Sequence, residues 1–133
     1  MTVGLLIITH NQIGQALLET TTSMLGACPL PCSTLSLSPD ADRDMILGAA
    51  RRRIDELNQG GGVLVLTDMY GSTPSNIAAG LGKSKDIIVV AGVNLPMLIR
   101  VMNYPQLDLF QLAAKAVSGG NDGIFSFSPT DEL

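Results

Sequence analysis

The sole histidine of this chain, His10, closes the apolar run Val3-Gly4-Leu5-Leu6-Ile7-Ile8-Thr9, and Asp68 closes a second run, Gly62-Val63-Leu64-Val65-Leu66-Thr67. Both runs are too continuous to be exposed edges and read as buried strands. In open α/β sheets, ligands collect outside the carboxyl ends of the parallel strands. An imidazole and a carboxylate delivered to that edge form a candidate reaction centre. A carboxylate accepting from Nδ1–H would fix the tautomer of His10 and leave Nε2 as the nucleophile.

The residues after Asp68, Met69-Tyr70-Gly71-Ser72-Thr73-Pro74-Ser75-Asn76, read as a turn into a helix. Thr73 suits the N-cap, and Pro74 suits the first helical position, where its missing N–H costs nothing. Gly71 permits a tight turn and lets backbone amides approach a ligand. A helix start of this kind, with free N–H groups and the positive dipole end, suits an anion. A well-capped connection with no ligand accounts for the same residues equally well. The Asn94-Leu95-Pro96-Met97 turn has the same two readings: a wall of the crevice or a plain helix start.

Other chemistries find less support. The chain has no G-x-x-x-x-G-K-[S/T] loop, no G-x-G-x-x-G after the first strand and no G-x-S-x-G elbow. One histidine without paired carboxylates nearby in sequence predicts no metal site, and no cofactor is expected. Cys28 and Cys32 flank Pro-Leu-Pro rather than the two residues of a C-x-x-C motif, and they read as incidental thiols.

The elements that must position His10 and Asp68 follow from periodicity. A helix runs from Ile13 to near Gly26, and Ser33 to Ser38 alternates as a strand. A longer helix opens at Pro39-Asp40 and ends at Asn58-Gln59-Gly60-Gly61-Gly62. After the strand ending at Asp68, a helix starts at Pro74 and stops near Gly82, and Asp86 to Ala91 is a fourth apolar run. Helices follow over Leu95 to Tyr104 and Leu107 to Val117. Gly123-Ile124-Phe125-Ser126-Phe127-Ser128 then alternates as an edge strand, after the pliable Ser118-Gly119-Gly120-Asn121-Asp122. The order β-α-β-α-β-α-β-α-α-β implies an α/β fold with a mostly parallel sheet covered on both faces.

The 133 residues suit a single domain, residues 1–133, and a composition of 46% hydrophobic and 15% charged residues argues against disorder. A net charge of -4, without a basic stripe, argues against nucleic-acid binding. The one dense basic run, Arg51-Arg52-Arg53, reads as a solvated helix face, with a docking patch for an acidic partner as the alternative. No stretch approaches the ~20 apolar residues a spanning helix needs, and no basic leader precedes the first strand. A cytoplasmic location without membrane insertion is expected.

These motifs together resemble the IIA component of the mannose-type sugar phosphotransferase system. The resemblance rests on the strand-Thr9-His10 start, on Asp68 to Asn76, on Gly92-Val93-Asn94-Leu95-Pro96-Met97 and on the closing Gly-led strand. It implies a flavodoxin-like, doubly wound sheet and a phosphoryl group carried on His10, received from the phosphocarrier HPr and passed to a IIB component for sugar uptake. By position, Asp68 would orient His10, while Thr9, Gly71, Ser72 and Thr73 would bind the phosphoryl group. The resemblance further implies a homodimer that exchanges its C-terminal strand, pairing it antiparallel with the partner's sheet edge. Two residues depart from the family pattern, since Asn11 and Ser72 stand where glycine is usual. A free-standing IIA subunit is expected. The alternative is a regulatory protein that signals by its phosphorylation state without sugar transport.

Overall fold

The computed structural model describes residues 2–81 and 86–130. Strands β1 (Gly4–His10), β2 (Cys32–Leu37), β3 (Val63–Thr67) and β4 (Ile87–Ala91) alternate with helices α1 (Ile13–Leu25), α2 (Arg43–Leu57) and α3 (Thr73–Leu81). Helices α4 (Leu95–Met102) and α5 (Leu109–Asp122) complete the order. The strands form one parallel sheet in the order β2-β1-β3-β4. From β1 the chain winds outward to β2, then crosses back to β3, so the direction of winding reverses between β1 and β3.

Parallel central strands must be apolar on both faces, and β1 and β3 meet that demand with Leu5 to Ile8 and Val63 to Leu66 fully buried. Their side chains alternate between two cores. Leu5, Ile7, Leu64 and Leu66 pack with residues of α1, α4 and α5. Leu6, Ile8, Val63 and Val65 pack with residues of α2 and α3. The sheet is therefore covered on both faces, as the element order implies.

Helix starts and stops differ locally from the expectations. The α2 helix begins at Arg43 rather than at Pro39-Asp40, because the Asp42 carboxylate accepts from the Asp44 and Met45 amides and so caps the helix there. The expected stop near Gly82 lies outside the described residues. The basic run divides: Arg51 and Arg52 are exposed, whereas Arg53 donates to the Ser33 hydroxyl and to the Thr34 carbonyl at the sheet edge β2. The Cys28 and Cys32 sulfurs lie 2.6 Å apart, at the end of the sheet opposite His10.

The C-terminal region departs most. Helix α5 continues through Gly119-Gly120 to Asp122 instead of ending at Val117. Those glycines are packing residues rather than a pliable link: a Cβ on Gly119 would collide with the Arg100 stem, and one on Gly120 would meet Met97 Cε at 2.9 Å. Residues 123–128 form no strand, and no antiparallel edge strand occurs among the described residues. The segment lies exposed, with no strand beside it to supply ladder hydrogen bonds.

Candidate functional site

His10 ends β1, and Asp68 follows the last residue of β3. The two strands are neighbours, pairing Ile8 with Thr67, so the side chains meet at the reversal point of the winding. Strand order 2-1-3 places the ligand crevice of a doubly wound sheet at this point. His10 Nδ1 lies 2.7 Å from Asp68 Oδ2, and the same oxygen accepts from the His10 backbone amide at 3.0 Å. The other carboxylate oxygen, Oδ1, accepts from the Met69 amide at 3.0 Å.

Partial burial alone would raise the Asp68 pKa, but hydrogen bonds from the His10 ring and amide outweigh it and hold the carboxyl below its usual 3.8. An ionised carboxylate only accepts. Nδ1 therefore carries the proton it donates, and in the neutral ring the lone pair lies on Nε2. The His10 side chain is 42% exposed while Asp68 is 12% exposed, a reachable imidazole on a sheltered anchor.

The loop after His10 is shaped to leave the ring open. Asn11 adopts φ 46°, in the left-handed region that asparagine tolerates, and its amide donates to the Leu37 carbonyl at 2.8 Å. Helix α1 then starts tight against β1. The Gly14 amide donates to Thr9 Oγ1 at 2.8 Å, and a Cβ on Gly14 would stand 2.9 Å from Ile7 Cγ2.

The four residues expected at a phosphoryl group separate into different roles. Thr73, the first residue of α3, lines a cavity of about 190 Å³ together with His10. Gly71 shapes the turn with φ +84°, and its amide donates to Ser75 Oγ at 3.3 Å. Ser72 donates its hydroxyl to the Met69 carbonyl at 2.5 Å, and its own carbonyl accepts from the Asn76 amide. Ser72 thus takes the N-cap position expected of Thr73, and Pro74 moves to the second helical position. Thr9 is fully buried, its hydroxyl held between the Gly14 amide and the His10 carbonyl. Successive strand residues face opposite sides of a sheet, and the Thr9 side chain does not line the cavity with His10.

Asn94 does not line that cavity. It caps α4 by accepting from Met97 and ties α4 to α5 by donating to the Gly120 carbonyl at 3.2 Å. Arg43 does line the cavity, a placement without a local sequence signal, because it depends on how the loop before α2 folds. Apolar walls come from Leu37, Ile46 and Ile77. Among the described residues no three His, Cys, Asp or Glu side chains converge to hold a metal ion, and no helix is long and apolar enough to cross a membrane.

A four-stranded parallel sheet covered by helices on both faces, with a carboxylate-held, reachable histidine where its winding reverses, defines an α/β domain built around one imidazole. Residues 4–117 match the family described as "PTS system fructose IIA component", EIIA-man. The chain belongs to this mannose-type IIA family of the sugar phosphotransferase system. It is 30% identical over 129 residues to the mannose-specific EIIAB component of Escherichia coli K12, covering 93% of this chain and 39% of that relative's length. The mannose/sorbose-specific IIA subunit from Enterococcus faecalis superposes with a TM-score of 0.85 at 24% identity, over 100% of both chains. EIIA from Streptococcus agalactiae gives 0.83 at 22% identity, over 93% of this chain and 96% of that one. At these identities the two structures show the fold.

Proposed function

We propose that this protein carries a phosphoryl group on His10 Nε2, accepting it from HPr and passing it to a IIB component in the cytoplasm, toward sugar uptake. The observation that carries this reading is the 2.7 Å contact between His10 Nδ1 and an ionised Asp68 at the β1–β3 switch point. In the forward step the Nε2 lone pair attacks phosphorus as the donor's P–N bond breaks. The bonding pair returns to the donor nitrogen, and the Nδ1 proton stays on its hydrogen bond to Asp68. Positive charge gathering on the ring is stabilised by that carboxylate. Thr73, at the start of α3, presents its hydroxyl and helix end to the phosphoryl oxygens.

Incubation with phosphoenolpyruvate, enzyme I and HPr should add one phosphoryl group, read by intact-mass spectrometry. The label should be acid-labile, as phosphoramidates are, and should disappear in His10→Ala. Persistent labelling of that variant would move the nucleophile elsewhere.

We also infer a homodimer in which residues 123–128 pair antiparallel with the edge strand of a second copy. Support comes from the exposed Ile124, Phe125 and Phe127 and from β4, which has a neighbour on one side only.

A further inference from the structure

We propose that Arg43 is a second anchor for the phosphoryl group on His10, clamping its oxygens within the cavity that it lines together with His10 and Thr73. This rests on the reading of His10 as the phosphoryl acceptor. Arg43 is the first residue of α2 and lines the same cavity of about 190 Å³ as His10 and Thr73. Its side chain is exposed and makes no hydrogen bond or ion pair among the described residues. The other arginine side chains on ordered partners, Arg53 and Arg100, are already engaged. Its two acidic neighbours in sequence differ in availability: Asp42 is committed to capping α2, and Asp44 stands exposed on the same turn.

Charge balance explains why an anchor is needed there. A phosphoryl group brings ~1.5–2 negative charges to a ring already held by the Asp68 carboxylate, in a chain of net charge -4. Among the described residues lining the cavity, Arg43 is the one fixed positive charge. A guanidinium presents a planar fork of donors that matches two phosphoryl oxygens at once. The apolar walls formed by Leu37, Ile46 and Ile77 lower the local dielectric, and this strengthens such a pair relative to open water. No bond to Arg43 forms or breaks. It meets charge that is present only when His10 is loaded.

The test uses two phosphoryl donors on the full chain. Phosphoramidate is small and needs no docking surface, whereas phosphorylated HPr needs one. With phosphoramidate, Arg43→Gln should label His10 about tenfold more slowly, the effect of losing one charge-assisted hydrogen bond. The ³¹P resonance of its phosphohistidine should titrate at higher pH than in the parent protein, because the dianion has lost its counter-charge. Arg43→Lys should restore most of the titration shift and only part of the rate, since an ammonium keeps the charge and loses the fork. Unchanged labelling and an unchanged ³¹P titration in Arg43→Gln would overturn the proposal. A defect seen with HPr alone would also overturn it, making Arg43 a docking contact. A parent protein that takes label from neither donor would instead overturn the His10 reading, and this proposal with it.

Discussion

Three N–H groups converge on the Asp68 carboxylate: the His10 ring, the His10 amide and the Met69 amide. A pair built this way couples the proposed phosphoryl transfer to acid stability. Asp68 titrates below 3.8 in the fold, so its contribution to stability is complete above its unfolded value and disappears as pH falls through the lower folded one. Thermal unfolding below pH 3.8 should therefore be steeper in pH for the parent than for Asp68→Asn. The same variant should keep its fold and slow transfer to His10 by about 10–100-fold, by analogy with the cost of removing a carboxylate that orients a metal-binding imidazole. Near-normal transfer by folded Asp68→Asn would remove Asp68 from the mechanism. Both partners were legible in sequence because each ends an apolar run with a polar residue, and a parallel sheet turns such ends into one edge. The Thr9 side chain lies apart from the cavity, bonded to Gly14, and the two-residue alternation of a strand already carries that signal by setting it on the face opposite His10. Arg43 had no comparable signal, because its place depends on how the residues between β2 and α2 fold.

Among the elements, the four parallel strands and helices α1 to α4 follow from periodicity to within a few residues, whereas the alternating segment 123–128 forms no strand and α5 departs because of glycine. Gly119 and Gly120 are poor helix formers, yet α5 runs through both because their missing side chains let it close on α4. Tertiary contact overrides propensity here, and a sequence window that does not contain α4 carries no trace of it. This reading has an opposite sign from the linker reading in one experiment. Gly119→Ala would gain helix propensity of about 1 kcal/mol, but its Cβ falls on the Arg100 stem. Overpacking of that kind costs typically 1–3 kcal/mol, so urea unfolding should show a lower midpoint. A raised midpoint would mean that α5 and α4 part at little cost, or that the segment behaves as a link.

At the level of the whole molecule, the sheet order was not written in any local pattern, though the alternation of strands and helices restricted it to parallel arrangements with covered faces. The two sheet edges differ in how they are finished. At β2, Arg53 reaches across to Ser33 and Thr34, while β4 presents the partly buried Ile87, Ile88 and Val89 with no strand beyond it among the described residues. An apolar edge left open invites pairing with another chain. The segment suited to pair there is residues 123–128, where Ile124, Phe125 and Phe127 are 74%, 71% and 57% exposed. Alternation would place Phe125 and Phe127 on one face of such a strand, and docking on a second copy would bury them. The full chain should therefore sediment as a dimer at micromolar concentration. Deletion from Gly123 onward should shift it to monomer or aggregate, while leaving the His10–Asp68 pair intact and open to labelling by phosphoramidate. A full-length chain that sediments as a stable monomer at that concentration would exclude the exchange, since both the open edge and the aromatic tail would then persist in solution unpaired.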